Sequence, residues 1–200
     1  MPIAFSPAED YLLENERVLL RPLKVDDIEY LMPFSINEPE IWTFSMITGA
    51  GRENMENYIN GALAARNTGA EYPFIVFDKN ANAYAGLSRF YDIQLKNKTL
   101  QLGYTWYGKQ FQGTGMNRHC KFLLLSFAFD ELGMERVEFR ADNSNARSIA
   151  AMKAIGCTVE GVLRSYGVKR DGTRRDSIIL SILKPEWESG VKEMLKAKLI

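Results

Sequence analysis

The sequence predicts one α/β domain of the α+β type: a mixed, mostly antiparallel sheet of about seven strands flanked by about four helices. Three observations lead there. Between Tyr72 and Tyr107, three strand-like runs are separated only by short polar turns, which reads as an antiparallel meander. The stretch Lys109 to Asn117, with glycines at 113 and 115, then leads straight into an apolar helix pattern. Beyond that helix, Val137, Phe139 and Ala141 alternate with Arg136, Glu138 and Arg140. A strand reached through a helix can lie parallel to the one before it.

Taken in order, residues 1–15 form an N-terminal arm with two prolines among its first residues. Residues 16–187 form the domain, and 188–200 a partly helical tail. Glu16–Pro22 reads as a first strand ended by its proline. Asp26 or Asp27 caps a short helix through Ile28, Leu31 and Met32, which Pro33 is expected to stop. Ile36–Ile47 is aromatic and apolar, with Trp42 and Phe44 close together. Arg52–Asn67 places Met55, Tyr58, Ile59, Ala62 and Leu63 at helical spacing. The meander follows, with Leu100, Leu102, Tyr104 and Trp106 expected on one face of its third strand. Met116–Leu132 is a long helix with Met116, Cys120, Leu123, Leu124, Phe127 and Ala128 inward, ended by Gly133. Asn143–Ile155 is another helix. Thr158–Leu163 and Ser177–Leu183 are strands joined through an Asp171-Gly172 turn.

Charge and composition exclude several classes. Twenty-five basic residues balance 25 acidic ones, so no basic excess points to a nucleic-acid partner. Two cysteines in unrelated contexts and a single histidine, His119, make neither a disulfide framework nor a zinc set, and no metal is expected. No apolar run approaches the ~18 residues of a membrane span, and no basic-then-apolar leader opens the chain. A cytoplasmic protein with no membrane partner is expected.

The chemistry starts at Gln110-Phe111-Gln112-Gly113-Thr114-Gly115-Met116. Glycines let a backbone turn tightly or come close to a ligand. The amides of a loop entering a helix lack partners and face one spot, where the helix dipole adds partial positive charge. A phosphate or pyrophosphate fits such a cradle.

Gln110-x-x-Gly113-x-Gly115 resembles the acyl-CoA loop of the GCN5-related N-acetyltransferases (GNAT). The order of further segments strengthens the likeness: Leu102-Gly103-Tyr104, Ala128-Phe129-Asp130-Glu131-Leu132-Gly133, Asn145-Ala146-Arg147-Ser148, Ile155-Gly156-Cys157, Glu160-Gly161-Val162-Leu163-Arg164, Asp171-Gly172-Thr173-Arg174-Arg175-Asp176-Ser177 and Glu186-Trp187. That order is similar to the branch holding the ribosomal-protein alanine N-acetyltransferases. The resemblance implies a sheet with a central splay between the strand ending near Tyr107 and the strand at 135–141. It implies a pantetheine arm in that splay, paired with backbone near Trp106 and Tyr107, and a pyrophosphate on the amides from Gln110 to Met116. Acetyl-CoA is the implied cosubstrate, and a primary amine on a protein N-terminus or small molecule the acceptor, attacked in a ternary complex.

Many relatives protonate the leaving thiolate with a tyrosine in the helix before Ile155-Gly156, but that position holds Met152. The branch's substitute is the serine of Asn-x-x-Ser, so Ser148 is the candidate proton donor. Asn145 is a candidate pantetheine anchor that can also cap its helix. A glutamate of the branch is replaced by Gln101, which cannot take a proton, so no base is identified. Trp42 and Tyr104 are candidate acceptor-side walls, core packing being the alternative for both. His119 is expected to be neutral, structural or at the substrate rim, and Lys121 to be solvated, a contact to the CoA 3′-phosphate being the alternative. A rival reading, which Met152 and Gln101 favour, is a non-catalytic acyl-CoA-binding module. A homodimer is expected, through an exposed strand-and-tail region at 177–200.

Overall fold

The computed structural model describes residues 2–199. Its framework is one eight-stranded sheet in the order β1-β2-β3-β4-β5-β6-β8-β7. The strands are β1 (Leu13–Glu14), β2 (Val18–Pro22), β3 (Glu71–Asp78), β4 (Ala83–Gln94), β5 (Thr99–Tyr107), β6 (Arg136–Asp142), β7 (Thr158–Val168) and β8 (Arg174–Leu183). The eighth strand, beyond the seven expected, is the two-residue β1, too short to carry an alternation signal; Leu13 pairs with Leu20 of β2. All neighbours are antiparallel except β5 and β6, which run parallel as the helical crossover between them requires.

The helices divide between the two faces. Helices α1 (Ile28–Asn37) and α2 (Arg52–Asn67) cover β3 and β4. Helix α3 (Met116–Ser126) covers the other face near β2 and continues as a wider π-type turn, Phe127–Glu131. Helix α4 (Ala146–Ala154) lies along β6. Short helical turns at Lys184–Glu186, Trp187–Val191 and Lys192–Lys196 finish the chain. Trp187 is fully buried there, stacked on Phe129 at 5.4 Å and donating from Nε1 to Asp130 at 3.0 Å.

Helix α1 runs through Pro33 instead of stopping before it. A proline costs one backbone bond to the preceding turn. Leu31, Met32 and Phe34 are buried around it, and the Ser35 hydroxyl donates to the Gly49 carbonyl at 2.5 Å, so packing outweighs the lost bond. In the hairpin after α4, β7 and β8 extend beyond the expected ends to Val168 and back to Arg174. The segment 177–183 is internal, between β6 and β7, so the exposed strand of that region is β7.

Two departures from regular pairing shape the middle of the sheet. Strands β5 and β6 pair only at Thr99–Arg136, Leu100–Val137 and Gln101–Glu138. After these three rungs the strands part, although each continues to Tyr107 and Asp142. This is the central splay. Second, the β4–β5 register slips between Leu87–Trp106 and Arg89–Gly103, leaving an extra residue in β5. Tyr104 has φ +47°, rare for a non-glycine residue. The bulge breaks the alternation, so Tyr104 leaves the core-facing row and is 38% exposed while Leu102 and Trp106 stay buried.

Candidate active site

The loop after β5 is built from its backbone. A 3₁₀ turn at Lys109–Phe111 leads to Gly113, φ +76°, and Gly115, φ +86°, the residue that starts α3. Both are left-handed conformations that disfavour a side chain. A Cβ at Gly113 would meet nothing within 4 Å, so the concavity above it is open. Among the described residues the amides of Gly113, Thr114 and Gly115 donate to no group. No acidic residue sits in the first turn of α3 to compete for the dipole. An open, positively polarised nest suits an anion such as a pyrophosphate.

The rest of the loop anchors it. Phe111 and Met116 are buried, Phe111 edge-on to Phe34 at 6.1 Å. Thr114 donates to the Phe111 carbonyl at 2.9 Å. Lys109 is ion-paired to Glu40, and its amide donates to Glu38 at 2.7 Å. Gln110 is exposed and, with Phe111 and Thr114, borders a hollow of about 370 Å³ that Arg17, Asp78 and Asn80 also line. Gln112 spans the cleft: Nε2 donates to the Tyr107 carbonyl at 2.7 Å, and Oε1 accepts from Arg147 of α4 at 2.7 Å.

Along β5, Trp106 is buried against Trp42, 5.2 Å between ring centres, and Phe34, 6.1 Å. Its carbonyl is turned to β4, where a Cβ on Gly86 would collide with it. Since successive residues of a strand point their polar backbone groups to opposite sides, Thr105 and Tyr107 turn theirs to the splay. The Tyr107 side chain is buried against Cys120, and burial holds both the phenol and the thiol well above their usual pKa values, Cys120 at about 12.

On the opposite wall, Asn145 caps α4; its Oδ1 accepts from the Ser148 amide at 3.0 Å. Ser148 is half-buried in the first turn, and its hydroxyl bonds to no described group. Met152, one turn further, is buried. The acids nearby are engaged. Asp142, at the end of β6, accepts from the Ser144 amide and hydroxyl at 2.9 and 2.6 Å and pairs with Lys169 at 3.2 Å. Burial alone would raise its pKa, but these donors hold it below the usual carboxylate value. Gln101 is buried and donates to the exposed Asp92 at 2.8 Å.

Trp42 is 1% exposed and its indole N–H has no described partner. Tyr104 lies over Arg89, 4.3 Å from guanidinium to ring centre, and edge-on to Tyr91 at 5.0 Å. Burial and the Glu71 charge raise its phenol pKa. Arg89 is buried, paired to Glu71 at 2.6 Å and also stacked on Tyr58. His119 is buried beside the β1–β2 turn, Nδ1 3.1 Å from Asn15 Nδ2.

Lys121 is a correction. It is 6% exposed, its Nζ donating to Thr105 Oγ1 at 2.7 Å below the Phe139 ring, between the parted strands. Burial pushes its pKa down to about 8. The signal was present: Lys121, Leu125 and Ala128 share a helical stripe beside the apolar one. Arg175 is a second correction: the basic pair Arg174-Arg175 reads as solvated turn residues, but Arg175 is buried. Arg89 gives no signal in the sequence, and both stand in strands whose alternation is disturbed by bulges.

Residues 17–158 match the family model described as Acetyltransferase (GNAT) domain. The chain belongs to the GNAT acetyltransferase family. It is an acetyl-CoA-dependent N-acetyltransferase by that membership and by its relatives. The uncharacterized N-acetyltransferase p20 of Bacillus licheniformis is 26% identical over 179 residues, 88% of this chain and 97% of that protein. YdaF of Bacillus subtilis (strain 168), provisionally named a ribosomal N-acetyltransferase, is 33% identical over 103 residues, 52% of this chain and 55% of its own length. A GCN5-related N-acetyltransferase from Brucella melitensis superposes with a TM-score of 0.88 at 26% identity, over 98% of this chain and 88% of that one. RimJ of Mycobacterium smegmatis, solved with CoA-disulfide, shares the fold at a TM-score of 0.78 and 20% identity, over 94% and 93% of the two chains. No helix among the described residues is long and apolar enough to cross a membrane, and these residues hold no cluster of metal-binding side chains.

Proposed function

We propose that the chain moves the acetyl group of acetyl-CoA to the α-amino group of a protein N-terminus or small molecule, by direct attack in a ternary complex. The observation that carries this reading is the cleft itself. It opens after three paired rungs, has the unpartnered amides of 113–115 at one end and has Asn145 and Ser148 on its far wall. The loop amides would hold the pyrophosphate, and the splay-facing backbone of Thr105 and Tyr107, flanking Trp106, would pair with the pantetheine arm. A backbone N–H there would also meet the charge growing on the thioester oxygen, a contact typically worth about 10²–10³ in rate.

Ser148 is the proposed proton donor to the departing thiolate, and Asn145 the residue that fixes its turn and meets the pantetheine. Met152 carries no proton to give, and burial holds the Tyr107 phenol well above its usual pKa, so Ser148 is the proposed hydroxyl on the α4 wall. Trp42 and Tyr104 would border the acceptor. Among the described residues Asp142 and Asp92 are engaged by other side chains, which favours an α-amine. An N-terminal ammonium titrates near ~8, so about a tenth is neutral at pH 7, whereas a lysine ammonium near ~10.4 is neutral in only about one molecule in 10³. The first needs little help from a base.

Incubation with acetyl-CoA and matched α-amino and ε-amino peptides, following free thiol, tests the reading. Turnover with α-amines and much slower turnover with ε-amines supports it. CoA binding without turnover of any amine contradicts it and favours a binding module.

A further inference from the structure

Past the end of β6 lies a second hollow, about 140 Å³. Its wall includes Phe44 and Met46, from the segment that follows Trp42, together with Asp142, Lys169, Arg170 and Arg175. Its position follows from the topology. Strand β8 runs antiparallel to β6, with Ser177 opposite Asp142. Arg175 therefore stands two residues past the end of β6, on the side where β5 and β6 part. Asn145, which opens α4, is three residues beyond Asp142 in the other direction along the chain. Arg175 also acts electrostatically on Tyr104. Trp42 immediately precedes the lining segment of Thr43 to Met46.

The charges facing the hollow do not cancel. Asp142 is matched by Lys169 and Ser144. Asp171 accepts from the Thr173 amide and hydroxyl, at 2.9 and 2.6 Å. Arg170 donates to the Trp42 carbonyl at 2.9 Å. Arg175 is different. It is only 9% exposed, and among the described residues it pairs with no carboxylate. Its one hydrogen bond is a long one, Nη1 to the Phe44 carbonyl at 3.4 Å, and its Nε is buried with no partner. A buried guanidinium is costly to leave unsatisfied, and its planar fork is shaped to receive a carboxylate with two parallel bonds.

Resting on the transferase reading above, we propose that the acceptor is a carboxylate-bearing primary amine whose carboxylate is received by Arg175, with the amine then facing the splay. The same group would come from a free amino acid or from an acidic residue near a peptide N-terminus. Arg175 is thereby a specificity residue. Its counter-ion is the substrate.

Two matched acceptor pairs test this: glycine against glycinamide, and the peptide amides Ser-Asp-NH₂ against Ser-Asn-NH₂. Each is assayed for kcat/KM and, by calorimetry, for binding to the CoA-saturated protein. The wild-type protein is expected to favour the carboxylate member of at least one pair by tenfold or more, and the responding pair tells free amino acid from peptide. Arg175→Gln brings that ratio close to one, mainly through KM, whatever its effect on the absolute rate; Arg175→Lys restores part of it. A wild-type ratio near one in both pairs, or a ratio unchanged by either substitution, overturns the proposal. The binding arm separates the two levels of the argument. Carboxylate-selective binding that depends on Arg175, without turnover of any amine, sinks the transferase reading and leaves this one standing. Turnover without charge discrimination does the reverse.

Discussion

The two sides of the splay are made of different material. The proposed donor side is backbone: left-handed glycines, free amides at the start of α3, and the polar edge of β5. The proposed acceptor side is side chain: Trp42, Tyr104 and Arg175, drawn from a loop, a bulge and a strand far apart in sequence. A backbone site recognises a group common to every donor and tolerates drift in its side chains. A side-chain site can be rewritten residue by residue. On this reading one donor site could serve different acceptor sites.

The comparison makes ordered predictions. Gly113→Val should have the largest effect. The open space around the Cβ means no clash, but φ +76° strains a β-branched residue by roughly 1–2 kcal/mol and turns the nest amides away. CoA affinity should fall about 100-fold or more while the melting temperature shifts by a few degrees, read by calorimetry and thermal melting. Unchanged affinity would break the assignment of the loop to the pyrophosphate.

Ser148→Ala comes next. A positioned proton donor contributes about 10²–10⁴ at most, and solvent can replace part of it, so turnover should fall about 10–100-fold with less than a twofold change in donor affinity. Equal losses in kcat and donor affinity would make Ser148 a binding residue only. Arg147→Ala should weaken CoA by a smaller factor, about 3–10-fold, because it touches the loop only through exposed Gln112 contacts.

Lys121→Met should stabilise the fold, by on the order of 1–3 kcal/mol at pH 7, in a denaturant titration. Burial depresses the folded-state pKa to about 8, below the unfolded value of about 10.4. Between these values the unfolded chain binds more protons, so wild-type stability rises with pH from about 8 to 10.4. The advantage of the variant should therefore be full below pH 8 and shrink across that window. A gap that stays constant from pH 7 to 10 would show that Lys121 is not charged and buried as described.

Legibility in the sequence followed the same division. The meander, the crossover to β6 and the loop of Gly113 and Gly115 were readable because each rests on local rules: alternation, helix period and glycine at a turn. The acceptor side was not. Tyr104 was read as part of a regular row, since a bulge is a mismatch with a partner strand and leaves no mark in β5 alone. Arg175 reads as one more polar residue of a hairpin; its burial comes from the segment carrying Phe44, 131 residues away. Lys121 was read by its charge when its helical position already placed it inward. Pro33 was read as a stop because the packing that carries the helix past it is tertiary.

The contrast between a backbone-built donor site and a side-chain-built acceptor site is tested most directly by amide hydrogen exchange with and without CoA. Binding should slow exchange at Thr105 and Tyr107 and across 112–117, while 43–46 and 169–175 exchange as before. Protection centred instead on Arg17, Asp78 and Asn80, with 105–107 and 112–117 unaffected, would contradict it.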